Sequence, residues 1–285
     1  MRWRYLAGGA TVKRGAPGRS GAGERGRGKS RRMEAPRTLV LLPYSPWSER
    51  VRWALDHHGL AHRVVEHVPV LGERRLRKLV GRRAGPATVP VLIEGDTVLT
   101  ESWEIAMHAD RIGNGALLLP AAKVAEIRRW GELADTTMRH GRALVIAGMM
   151  KSPGALDEAM PATVPPLVRR MLRPVNRWGT GWFARKYGVQ IGDPAPAVAG
   201  LRAGLLALRE GLAGGPYLLG EFSYADMIMA TLIQGVAPVA DEYIRIGPAT
   251  RAVWTHPELA AEFADLVRWR DELYAQRRIR SAARS

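Results

Sequence analysis

Tyr44-Ser45-Pro46-Trp47-Ser48-Glu49-Arg50-Val51-Arg52-Trp53-Ala54-Leu55-Asp56-His57-His58-Gly59 follows the apolar run Thr38-Leu39-Val40-Leu41-Leu42, with only Pro43 between them. The run reads as a buried strand, and the longer stretch as a polar turn feeding an amphipathic helix, Ser48 to His58, closed by Gly59. Such a turn places small hydroxyls and free backbone N–H groups at a helix N-terminus, where an anionic ligand is favoured. A thiolate would suit that position.

Working outward, Ala61 to Val68 alternates as a second strand, and Glu73 to Arg83 carries a helical stripe of Leu76, Leu79 and Val80. Val89-Pro90-Val91-Leu92-Ile93, the turn Glu94-Gly95-Asp96 and Thr97-Val98-Leu99 then form a hairpin, and a further helix starts near Ser102. The order βαβαββα, with a proline at the mouth of the third strand, is the layout of a thioredoxin-like fold. A cis Val89–Pro90 bond would turn the backbone of Val89 toward a ligand; an ordinary edge-strand proline is the other reading. The Ser45-Pro46-Trp47-Ser48 frame stands where thioredoxin-like proteins carry Cys-Pro-x-Cys. The chain has no cysteine, so the polypeptide itself cannot form a mixed disulfide and any sulfur must come with the substrate.

Residues 120–280 show no strand-like alternation and read as an all-α domain. Its periodic segments run near Ala121–Met150, Pro165–Tyr187, Pro194–Leu212, Tyr224–Val239 and His256–Gln276. Ser223 and Asp226 have capping-box spacing, a structural role. At 285 residues two domains are expected, here residues 37–114 and 120–280. The longest apolar stretch, Ala143 to Met150, falls well short of the roughly 18 residues that cross a bilayer. Neither a membrane nor an excreted setting is indicated, and a cytoplasmic location is expected.

The formal charge of +16 divides unevenly. Residues 1–36 hold ten Lys or Arg against Glu24 and Glu34, a net +8 and half of the excess. This Gly- and Arg-rich tail has no apolar periodicity and is expected to be disordered. It reads as a targeting leader, an RNA-binding arm, a solvated tail, or the consequence of a start placed too early, since Met33 lies just ahead of the first strand. The seven histidines show no ligand spacing, and no phosphate-loop motif is present. Neither a metal nor a nucleotide is expected.

Ser45-Pro46-Trp47-Ser48-Glu49-Arg50-Val51-Arg52, Thr88-Val89-Pro90-Val91-Leu92, Leu99-Thr100-Glu101-Ser102 and Phe222-Ser223-Tyr224-Ala225-Asp226, in this order and spacing, resemble the glutathione S-transferase family over roughly residues 37–280. The first fragment is most similar to zeta-class and other serine-type members. The resemblance implies glutathione as co-substrate, held along Val89, Pro90, Glu101 and Ser102. It implies Ser45 as the hydroxyl that stabilises the thiolate, with Ser48 the second candidate, although Ser48 also suits a helix N-cap. Glu101 and Ser102 would hold the γ-glutamyl end; read without the resemblance, Ser102 is an N-cap and Glu101 a surface acid. The glycine carboxylate would meet the basic helix through Lys78, Arg74 or Arg77, a run that otherwise reads as a solvated face.

The activity implied is attack of the activated thiol on a hydrophobic electrophile, or a zeta-like isomerisation. Detoxification and a homodimer are the associated expectations. The alternative is a non-catalytic relative acting through protein or nucleic-acid contacts; nucleic acid and membranes are otherwise not expected partners. Met138, Met149, Met150, Trp178, Trp182 and Phe183 are candidates for an apolar wall of the electrophile pocket, as well as for plain core.

Overall fold

The computed structural model describes residues 37–81, 86–160, 164–190 and 192–279. The expectations for residues 1–36, and those for Arg82 and Arg83, lie outside the described residues. The described residues form one compact unit.

Strand β1 (Arg37–Leu41) lies inside a four-stranded sheet of order β2-β1-β3-β4, with β2 at Arg63–Glu66, β3 at Val91–Glu94 and β4 at Thr97–Leu99. It pairs parallel to β2, with Thr38 opposite Arg63, and antiparallel to β3, with Val40 opposite Val91. Alternation along β1 sends side chains to both faces. Leu39 and Leu41 pack with Val51 and Leu55 of α1 (Pro46–His57) and with Ile105 and Ala109 of α3 (Ser102–Ile112). Val40 and Leu42 pack on the other face with Val91, Val89 and Leu76 of α2 (Glu73–Leu79). A sheet covered on both faces explains the uninterrupted apolar run at 38–42. The thioredoxin-like βαβαββα layout is therefore present.

Several boundaries differ from the sequence reading for identifiable reasons. Helix α1 begins at Pro46, not Ser48, because proline is pre-organised for the first helical position and needs no N–H there; Ser45 is consequently the N-cap. Helix α2 ends at Leu79, and the left-handed backbone at Gly81 (φ 67°) stops it short of Arg83. Strand β2 keeps only four of the residues between Ala61 and Val68. Glu101 caps α3, not Ser102.

After α3 every regular element among the described residues is a helix, as expected. Helix α4 (Val124–Lys151) packs along α8 (Ala195–Leu212) and α9 (Tyr224–Leu232), and α9 is buried at every residue. The capping box Ser223/Asp226 starts α9. The expected 165–187 helix is two, α6 (Pro166–Met171) and α7 (Arg173–Lys186), interrupted beside Pro174. The 256–276 helix is likewise two, α11 (Pro257–Glu262) and α12 (Ala264–Arg277), and short α5 (Pro153–Glu158) and α10 (Pro248–Trp254) each start on a proline that the periodicity did not disclose. The last residues of 224–239 leave α9 for a 3₁₀ turn, Ile233–Gly235.

The helical core reaches across to the sheet region. Trp53 and Ala54 of α1 and Ala106 of α3 join Tyr224, Met227 and Ile228 of α9 in one cluster. Helix α1 thus packs on the sheet with one side and on α9 with the other, so its N-terminus is held rigidly at the junction. None of the described helices is long and apolar enough to cross a membrane.

Candidate active site

The site is built where β1 runs into α1. Ser45 is half-buried with extended backbone (φ −75°, ψ 127°), and its N–H donates to Leu42 O at 3.1 Å while its carbonyl accepts from Glu49 N at 2.9 Å. Its hydroxyl makes no cap hydrogen bond. Pro46 has no N–H, so the first-turn donors left without helical acceptors belong to Trp47 and Ser48. The Val89–Pro90 bond is cis. Because Val91 lies opposite Val40, the antiparallel register carries Val89 and Pro90 to the end of β1 from which the Ser45 turn departs.

Ser48 is placed differently from Ser45. It is 1% exposed, and its hydroxyl accepts from Leu42 N at 3.3 Å. This bond ties α1 to the end of β1 and turns the oxygen inward, so Ser48 serves the scaffold of the turn.

Ser102, buried at the start of α3, is joined to α1 by Arg50. Nε and Nη2 of Arg50 donate to Ser102 Oγ at 3.1 and 2.8 Å, and Nη2 also donates to Asp135 Oδ1 of α4 at 3.1 Å. Trp47 Nε1 donates to the same carboxylate oxygen at 3.0 Å, and Tyr224 OH donates to Ser102 O at 3.1 Å. Burial pushes the Tyr224 hydroxyl up to about 12, so it stays a neutral donor. With its oxygen accepting from Arg50, Ser102 keeps its own O–H proton for a further acceptor. Glu101 is exposed beside it. Sequence reasoning missed Asp135.

The basic residues of α2 separate by exposure. Arg74, Arg75 and Lys78 are exposed, whereas Arg77 is half-buried, with no hydrogen-bond partner for its Nε among the described residues. Arg77, Pro86, Trp182, Arg185 and Lys186 line a cavity of 330 Å³. Of the three cations proposed for the glycine carboxylate, the structure brings Arg77 and not Lys78 to a concave surface. Lys186 Nζ, in turn, is bound to Glu73 Oε1 at 2.6 Å, both side chains buried, which fixes α7 against α2.

The expected apolar wall divides in the same way. Met138 is buried in the helical core and Trp178 is exposed at 57%. Met149 and Met150 are half-buried on the last turns of α4. Trp182 lines the 330 Å³ cavity, and Phe183 packs onto the Val40–Leu42–Val89 cluster. Among the described residues no three potential ligand groups converge as a metal site.

Residues 39–116 match a family model described as glutathione S-transferase, N-terminal domain. No curated protein matches. Solved structures of similar fold include a glutathione S-transferase from Methylobacillus flagellatus KT with glutathione bound (18% identity, 84% of this chain and 94% of that one, TM-score 0.52). They also include a delta-class glutathione transferase from Nilaparvata lugens (16%, 85% and 90%, TM-score 0.53) and a glutathione S-transferase from Xanthobacter autotrophicus Py2 (17%, 84% and 93%, TM-score 0.53). The likeness to these structures is one of fold.

Proposed function

We propose that this chain, whose residues 39–116 belong to the glutathione S-transferase N-terminal domain family, is a glutathione transferase that activates the thiol at Ser45. The observation that carries the reading is the hydroxyl of Ser45, uncommitted to capping, at a helix N-terminus beside the cis Val89–Pro90 bond. A thiolate there receives the Ser45 O–H and faces the positive end of the α1 dipole. A charge-assisted hydrogen bond contributes roughly 1.5–3 kcal/mol and the helix end about 0.3–1 kcal/mol. Less the cost of desolvating the sulfur, this lowers the thiol from about 8.5 by one to two units, since each unit is about 1.4 kcal/mol.

In this reading residues 37–114 hold glutathione and residues 120–280 supply the other side of the cleft. Val89 and Pro90 line the cysteinyl part, Glu101 and Ser102 take the γ-glutamyl end, and the cations of α2 face the glycine carboxylate, Arg77 ahead of Lys78. The thiol proton leaves to solvent, and the sulfur forms a bond to an electrophilic carbon in the cleft. Support comes from the matched domain, the fold shared with glutathione transferases and the disposition of Ser45 and Ser102.

The test is calorimetric titration of reduced glutathione into the protein, with ultraviolet absorbance following thiolate formation against pH. Binding with a lowered thiol pKa in the wild type, and a pKa restored toward the free value in Ser45→Ala, is the expected result. No heat at millimolar glutathione, or an unchanged thiol pKa in Ser45→Ala, would overturn the assignment.

A further inference from the structure

Helix α4 contributes one more charged group beside the Ser45 turn, and the pairings described so far leave it out. Arg142 lies seven residues after Asp135, on the same face of α4. Its guanidinium sits 4.4 Å from the ring centroid of Trp47 and 4.4 Å from that of Tyr187. Trp47 belongs to the first turn of α1, two residues from Ser45, and Tyr187 follows the end of α7. Arg142 is therefore in contact with an aromatic ring of the Ser45 turn and with a second one at the end of α7.

No carboxylate is within ion-pair distance of Arg142 among the described residues. The nearest acid on its own helix face, Asp135, is already taken by Trp47 Nε1 and Arg50. Glu73, from the α2 side, is taken by Lys186. Burial pushes the Arg142 guanidinium down from its ordinary value; Tyr187 and Asp135 oppose that shift and the like charge of Arg139 adds to it. A cation–π contact is worth about 0.5–2 kcal/mol, while partial desolvation of a cation costs several. Two aromatic faces offset only part of that cost. A planar guanidinium that rests against aromatic rings still has N–H donors for a bidentate acceptor, which a carboxylate matches.

We propose that Arg142 is the anion anchor of the second-substrate site, so that the preferred electrophiles are aromatic or unsaturated compounds bearing a carboxylate. The carboxylate binds the guanidinium edge, the apolar body lies along Trp47 and Tyr187, and the reactive carbon is directed toward the sulfur at Ser45. This rests on the glutathione transferase reading above, and it adds the charge of the co-substrate.

A pair of matched probes tests it. With 4-chloro-3-nitrobenzoate the thiolate forms a C–S bond at the chlorinated carbon, chloride departs with the C–Cl electrons and the thiol proton goes to solvent. 4-Chloro-3-nitrobenzamide undergoes the same step without the negative charge. Rates are normalised to the uncatalysed reactions, and binding of the unreactive 3-nitrobenzoate and 3-nitrobenzamide is measured calorimetrically with and without glutathione. The expected result is a preference of about tenfold for the carboxylates, seen in KM and in binding and not in kcat, that vanishes in Arg142→Met. Arg142→Lys, which keeps the charge without the planar stack, retains a smaller preference and serves if the methionine variant does not fold.

Equal binding of nitrobenzoate and nitrobenzamide to the wild type, or a preference that survives in Arg142→Met, overturns the proposal. If glutathione binds with a lowered thiol pKa while the two nitro compounds bind alike, the anion anchor fails and the transferase reading stands. If glutathione does not bind but nitrobenzoate does so through Arg142, the anchor stands and the transferase reading fails.

Discussion

Arg278 lies just beyond α12, yet its guanidinium is fully buried against α1. Nε donates to Glu49 Oε1 at 2.7 Å and Nη1 to Asp56 Oδ2 at 2.5 Å, with side-chain exposures of 0% for Arg278 and 1% for Glu49. Arg52 binds the same Glu49 carboxylate from the neighbouring turn. Replacing Arg278 by Met keeps much of the side-chain volume but leaves Glu49 with one cation and Asp56 without its bond to Nη1. Breaking a buried pair by removing one partner costs about 3–5 kcal/mol; because Arg52 remains, about 3 kcal/mol is expected here. Burial alone would raise the Glu49 carboxyl, but Arg278 and Arg52 outweigh it and hold the group below its ordinary value.

The sign of the pH dependence follows. A depressed folded pKa contributes stability above the unfolded value, and that stability is lost as pH falls through the folded value. Removing Arg278 raises the folded pKa, so the deficit of the variant is full at neutral pH and narrows below about pH 4. Urea unfolding of wild type and Arg278→Met at pH 7 and at pH 4 measures both effects. A loss under about 1 kcal/mol at pH 7, or a deficit that does not change with pH, would refute the account of this cluster.

Ser48→Ala leaves the buried Leu42 N–H without its acceptor and should cost about 1–2 kcal/mol in denaturant unfolding; the glutathione thiol pKa should not move, in contrast to Ser45→Ala. Gly204→Ala would ordinarily strengthen a helix by up to about 1 kcal/mol, but an added Cβ would overlap the Oγ1 and methyl of Thr137 where α8 crosses α4. A fall in melting temperature is therefore expected, partly reversed by Thr137→Ala. Asp110 accepts from Leu118 N (3.0 Å), Leu119 N (2.8 Å) and the His58 ring (2.6 Å); burial raises its carboxyl, and these bonds together outweigh it and set the group below its ordinary value. Asp110→Asn should cost about 1–2 kcal/mol at pH 7, with the variant and wild-type stability curves converging as pH falls below the unfolded value of 3.8.

The parts of the fold that could be read from sequence are those in which neighbours along the chain do the specifying. Strand β1 was legible because both of its faces are buried and Leu39, Val40 and Leu41 run on into Leu42 without a polar break. The proline at the start of β3 was legible because a single X-Pro bond carries the signal, and the α9 start because Ser223 and Asp226 are three apart. Helix α1 was misplaced by two residues for an equally local reason: Pro46 at the first helical position makes Ser45 the cap, and the periodicity of the apolar face cannot show that. The same weakness hid α5 and α10 and joined α6 to α7, since short helices broken at prolines leave an apolar period almost intact.

The candidate site is a different matter, because its polar groups are assembled across long separations. Arg50 meets Ser102 and Asp135 at 52 and 85 residues, and Glu49 meets Arg278 at 229. Each of these charges, read alone on an amphipathic helix, is an ordinary solvated residue. One signal was nevertheless present in α4: Asp135 and Arg142 share a face with Met138, which is buried in the core. Both charges sit at the partly buried edge of that face, Asp135 with 43% of its side chain exposed, where they can pair with each other, meet a neighbouring element or face solvent. At seven residues apart they are two turns distant, too far to pair directly, so any ion-pair partner has to come from outside the helix. Asp135 finds them in Trp47 and Arg50. Arg142 finds only aromatic rings, which hold its guanidinium without neutralising it, and that difference is the physical basis for expecting a negatively charged co-substrate in the cleft.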